Sequence, residues 1–82
     1  MTDAEILGAL SQILGDLLGN DSIVLRPETR RDDVPDWDSL MYMNFIVMVE
    51  MRFSIKFRVA EIESFKDVGA VVAAIRAKLA AG

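Results

Sequence analysis

The side chains best placed to do chemistry in this sequence are the acids Asp32, Asp33, Asp36 and Asp38 and the serine that follows them, Ser39. Acids so closely spaced suggest a metal, yet Pro35 interrupts them and the glycine at the centre of a calcium loop is missing. The expectation is a solvated acidic loop with no metal. The chain has no histidine and no cysteine, so a serine nucleophile would lack its base and a thiol nucleophile does not exist. A lysine-based variant has no motif behind it. These absences predict a protein that is not an enzyme. Ser39 stands where a charged, proline-containing segment gives way to an apolar one, the pattern of a loop-to-helix junction. There, free backbone N–H groups and the positive end of the helix favour a phosphate carried on the hydroxyl. On position alone, the simpler reading is that Asp38 and Ser39 are ordinary helix caps.

The elements that must hold this junction follow from hydrophobic periodicity. Thr2 and Glu5 have the spacing of a capping box, and Ile6, Leu7, Leu10, Ile13, Leu14, Leu17 and Leu18 recur at helical intervals, which predicts a first helix to about Leu18 with Gly19 as its C-terminal break. From Gly19 to Trp37, two prolines and many charges predict a long loop, pinned only by Ile23, Val24 and Leu25. Loops of that length in a small domain tend to be functional. A second helix is expected from Asp38 or Ser39 to about Phe53, with Leu40, Met43, Ile46, Val49 and Phe53 on one stripe. Met41, Phe45, Val47, Met48 and Met51 place further apolar surface on its other faces. A short turn at Val59–Ile62 and a last helix capped by Asp67, with Val68, Val71, Val72, Ile75 and Leu79 inward, complete the chain. The expected fold is all-α, a small bundle of three main helices plus one short helix, in a single domain over residues 1–82.

Size and charge narrow the partners. Eighty-two residues suffice for one core, and 52% hydrophobic with 27% charged residues suits a chain that folds alone. Without cysteine there is no disulfide, and the acidic start Thr2-Asp3-Ala4-Glu5 lacks the basic opening of a secretory signal, so a cytoplasmic protein without a membrane span is expected. The net charge is −4. Residues 1–38 hold nine acids and three bases, whereas residues 39–82 hold four acids and six bases. An acidic surface repels phosphate backbones, so protein partners rather than nucleic acid are expected.

Asp36-Trp37-Asp38-Ser39-Leu40, preceded by Val34-Pro35 and followed by an apolar helix, resembles the prosthetic-group motif of acyl carrier proteins. The leucine-rich first helix, the long loop, Phe53-Ser54-Ile55-Lys56-Phe57 and Phe65-Lys66-Asp67-Val68-Gly69 fall in the order of that family over nearly the whole chain. The resemblance implies that a phosphopantetheinyl transferase using magnesium attaches 4'-phosphopantetheine from coenzyme A to Ser39. The thiol of the arm, not a side chain, would then carry an acyl cargo as a thioester to cargo-loading and acyl-processing enzymes of lipid or secondary-metabolite biosynthesis. By the same resemblance Asp38 would help the transferase bind, and Leu40 would anchor the start of the second helix. Trp37 would shield the attachment point or fasten the loop, with fastening the simpler role.

Members of the family usually display several acids along the second helix, where basic partners dock, and here only Glu50 remains. Met41, Asn44, Val47, Met48 and Met51 instead predict a more apolar partner surface, set against the alternative that the methionines enlarge the core. A monomer is expected, with self-association through that surface left open. Two other readings stand beside this one. A peptidyl carrier would have the same arm, but usually has glycines before the serine. A helical interaction module would have no arm.

Overall fold

Thr2 starts the first helix as its spacing to Glu5 predicts. The Glu5 backbone N–H donates to the Thr2 hydroxyl at 3.1 Å, and the Thr2 N–H donates to the Glu5 carboxylate at 2.9 Å. In the computed structural model, which describes residues 1–81, this helix, α1, runs Asp3–Leu18 and closes on Gly19, whose φ of 67° is the left-handed cap that glycine adopts without steric cost. A 3-10 turn follows at Arg31–Asp33, then α2 (Ser39–Phe53), the short α3 (Val59–Ser64) and α4 (Val68–Ala81). The fold is the expected all-α bundle of three main helices and one short one.

The core is built where α1 packs against both α2 and α4. Ile6, Leu10 and Leu14 of α1, Phe45, Ile46 and Val49 of α2, and Ile75 of α4 are fully buried or nearly so. Burying such a side chain contributes about 1.5–3 kcal/mol each. The stripe expected on α2 is corrected by this packing: Phe45 enters the core, while Leu40 and Met43 point outward, at 70% and 46% exposure. The physical reason is that α2 is apolar on every side, so periodicity alone does not choose its inward face. Packing selects Phe45, Val49 and Phe53, spaced by four residues, with Ile46 alongside. Leu79, expected inward on α4, lies near the surface.

The long loop is tied down near its middle, to α1 and to the start of α4. The Leu25 side chain is buried, and its N–H donates to the Ser11 hydroxyl at 2.9 Å. Further on, the N–H groups of Val68 and Gly69 donate to the carbonyls of Thr29 and Pro27 at 2.8 and 2.7 Å. Gly69 is needed for this approach, since a Cβ there would lie 2.9 Å from the Pro27 carbonyl oxygen. Asp67 caps α4 as expected, its carboxylate accepting from the Ala70 N–H. α3 extends two residues beyond the expected turn because the Glu61 carboxylate accepts from the Arg58 N–H and the Ser64 hydroxyl donates to the Glu61 carbonyl.

Candidate functional site

The junction before α2 is assembled from a tight turn, a buried aromatic and a cap. Pro35 and Asp36 form the turn, with the Trp37 N–H donating to the Val34 carbonyl at 3.3 Å. Asp36 holds a φ of 70°, a left-handed conformation that aspartate tolerates better than most residues. Trp37 is 5% exposed and meets the Phe45 ring edge-on at 5.1 Å between centroids, with Tyr42 at 5.9 Å. It therefore fastens the loop to the core. Its indole N–H is buried without a hydrogen-bond partner, at a cost of about 1–3 kcal/mol.

Asp38 is the N-cap of α2. One carboxylate oxygen accepts from the Met41 N–H at 2.9 Å, and its backbone carbonyl accepts from the Tyr42 N–H at 2.8 Å. Ser39 is then the first helical residue, exposed, with its hydroxyl in no hydrogen bond among the described residues. The N–H groups of Ser39 and Leu40 belong to the helix's first turn, whose donors have no partner within the helix. A nucleophilic oxygen thus sits at the positive end of a fifteen-residue helix with no side chain competing for it.

Beside Ser39 opens a groove of about 520 Å³ between the loop, α2, α3 and the start of α4. Trp37, Tyr42, Met43, Ile62, Phe65 and Val68 give it apolar walls, and Arg31 and Lys66 are among the charged residues on its lining. The Arg31 guanidinium lies 5.7 Å from the centre of the Tyr42 ring. Burial pushes the Tyr42 phenol above its ordinary value, with Arg31 opposing, so the hydroxyl stays protonated and donates toward the Ile62 carbonyl at a long 3.4 Å. Glu61 is held below the usual carboxylate range, first by the Arg58 N–H and then by Lys78, which reaches it from α4 at 3.0 Å.

The expected partner residues are distributed unevenly. Val47, Met48 and Met51 are exposed on α2, as is Asn44. Met41 is part-buried against the core, so it belongs only in part to that face. Leu40 does not anchor the helix; it stands outward beside Ser39. Glu50, the single acid of α2, is engaged within the fold: its carboxylate accepts from the Phe57 N–H at 2.8 Å. That bond spans a reversal of the chain, which spacing alone does not reveal. The four loop acids do not converge, and among the described residues no group of three or more His, Cys, Asp or Glu side chains is placed to hold a metal. No helix among the described residues is long and apolar enough to cross a membrane.

A free hydroxyl at a helix N-terminus, backed by unpaired N–H groups and opening on an apolar groove, suits covalent attachment of a phosphate-linked arm; the class of protein defined is a prosthetic-group carrier. A family model described as a phosphopantetheine attachment site matches residues 4–75. The acyl carrier proteins of Myxococcus xanthus and Micrococcus luteus are each 33% identical to this chain over 64 residues, which is 78% of it and 81% and 79% of their own lengths. The solution structure of holo acyl carrier protein from Geobacter metallireducens matches with a TM-score of 0.84 and 41% identity, over 92% of this chain and 86% of that one. The chain belongs to the acyl carrier protein family. It is a phosphopantetheine-bearing acyl carrier, and the family's members carry rather than catalyse. The arm-free interaction module is thereby set aside.

Proposed function

We propose that Ser39 is the residue to which 4'-phosphopantetheine is joined, and that residues 1–82 act as one carrier domain that performs no catalysis itself. The observation that carries this is the exposed, unbonded Ser39 hydroxyl in the first turn of α2. When bound, the arm supplies the thiol that holds the acyl group as a thioester. The protein's own contribution is positional. The Asp38 cap fixes the start of α2, the Ser39 and Leu40 N–H groups of its first turn would serve as donors to the phosphate, and Trp37 holds the loop so that the hydroxyl stays on the surface. The groove beside Ser39 offers the arm or its cargo an apolar wall.

The partners of this reading are a phosphopantetheinyl transferase, which contacts Asp38, and the cargo-loading and acyl-processing enzymes. The latter dock on Asn44, Val47, Met48 and Met51, with Met41 at the edge. Methionine suits such a surface because it adapts its shape to different partners. A cytoplasmic setting, where coenzyme A and the transferase meet the chain, completes the proposal.

Intact-protein mass spectrometry after incubation with coenzyme A, magnesium and a broad-specificity transferase tests it. The parent chain gains one phosphopantetheine mass and Ser39→Ala gains none. Equal gain by Ser39→Ala, with its circular dichroism unchanged, assigns the arm elsewhere.

A further inference from the structure

On a helix of 3.6 residues per turn, Leu40, Val47 and Met51 lie within about 40° of one another, with Asn44 beside them and Met43 and Met48 on the two flanks. Leu40 and Met51 are each 70% exposed and Val47 is 49% exposed. Opposite them on the same helix, Phe45, Val49 and Phe53 face the core. α2 therefore has two apolar faces, and the chain itself covers only one. An exposed apolar stripe rimmed by charge marks an interaction surface.

Two features indicate what fits it. Leu40 and Met51, Met43 and Met48, and Asn44 and Val47 are related pairwise by reversal about the middle of α2. A second copy laid antiparallel therefore sets each stripe residue opposite another stripe residue, as a two-fold contact requires. Charge follows the same reversal. Residues 30–38, at the N-terminal end of α2, hold Asp32, Asp33, Asp36 and Asp38 against two arginines, with the Asp33 and Asp38 carboxylates accepting from the Arg30 and Met41 N–H groups. Residues 50–58, at its other end, hold Arg52, Lys56 and Arg58 against Glu50, whose carboxylate is bonded to the Phe57 N–H. An antiparallel copy brings the acidic end of each chain to the basic end of the other and opposes the two helix dipoles. This match to itself is a property of a second copy rather than of an arbitrary partner.

We propose that two copies of this chain associate through antiparallel α2 helices. The contact stands whether or not Ser39 carries the arm. With one helix from each side it falls below about 1,200 Å², so the dimer is weak and reversible. It also covers the surface next to Ser39, so a chain in the dimer is withdrawn from other partners until it dissociates.

Sedimentation velocity on the full chain, with a reductant present so that no arm thiol forms a disulfide, tests this from about 10 μM to about 1 mM. The weight-average mass rises with concentration from 9.1 kDa toward twice that value, equally for the parent and Ser39→Ala. Val47→Glu stays at the monomer mass throughout, with unchanged circular dichroism, and Met51→Glu serves in its place should Val47→Glu unfold. Lys56→Glu lowers the association constant several-fold. A parent chain that stays at 9.1 kDa throughout overturns the proposal and leaves the face to enzyme partners. Association that survives both glutamate substitutions in α2, that ignores Lys56→Glu, or that vanishes in Ser39→Ala overturns it as well.

Discussion

Replacing Asp38 by alanine separates what this residue does for the fold from what it does for the arm. The substitution removes the carboxylate oxygen that accepts from the Met41 N–H at 2.9 Å, but leaves the backbone bond from Tyr42 to the residue 38 carbonyl. Asp38 is exposed, so no cavity forms and the loss is that of the cap alone. Such a loss costs about 1 kcal/mol, within a range of about 0.5–2. In a domain of this size that lowers Tm by about 4–8 °C. Asp38→Asn retains the oxygen acceptor and is expected to stay within a few tenths of a kcal/mol of the parent. Thermal and urea unfolding followed by far-UV circular dichroism measure both. An Asp38→Ala chain as stable as the parent, or an asparagine as costly as alanine, would refute the capping role. Transfer of the arm is the second readout: if the transferase uses the Asp38 charge as proposed, Asp38→Asn loads more slowly at unchanged stability.

Phe45→Ala, at a fully buried position, is expected to cost about 3–5 kcal/mol, a large share of the stability of a small domain, seen as a lower urea midpoint. Gly69→Ala places a Cβ 2.9 Å from the Pro27 carbonyl oxygen and pushes the loop off α4, with an expected cost of about 1–3 kcal/mol in urea unfolding. Met51→Glu, on the open face of α2, should leave circular dichroism and unfolding unchanged while slowing acyl transfer to a partner enzyme; loss of helicity would count against that surface assignment. Acidification should destabilise the fold through Glu5 and Glu61. Backbone N–H donors, from Thr2 and Arg58 respectively, hold both carboxyls below the ordinary 4.5. The unfolded chain therefore takes up protons first as pH falls. The stability these groups contribute is complete above about pH 4.5 and is lost as pH drops through their lower folded values. Urea midpoints between about pH 7 and pH 3 should fall less steeply in the Glu5→Gln, Glu61→Gln double variant.

The ends of the helices were legible in the sequence because capping is local. Thr2 with Glu5, Gly19, Asp38 and Asp67 each act within a few residues of themselves, and each is found in its expected role. Position alone marked Ser39 only as a helix start; its role as attachment point was legible through the resemblance of Asp36-Trp37-Asp38-Ser39-Leu40 and the segments around it to the carrier motif. The inward face of α2 was not legible. With apolar residues all around the helix, only the shape of α1 and Trp37 decides that Phe45 goes in and Leu40 stays out. Contacts between distant segments were equally hidden: the Glu50 carboxylate on the Phe57 N–H, and the loop carbonyls on the start of α4. Glu50 shows the consequence, since the one acid that spacing offers as a docking charge is engaged in closing the α2–α3 connection.

Peptide mapping of the chain loaded in a cell with an active transferase tests the central claim most directly. Cleavage after Arg31 and Arg52 releases residues 32–52, which contain Ser39 as their one serine and no threonine. One phosphopantetheine increment is expected on that peptide, localised by fragmentation to Ser39. An increment instead on a peptide carrying Ser11, Ser22, Ser54 or Ser64, or none anywhere on the chain, would contradict it.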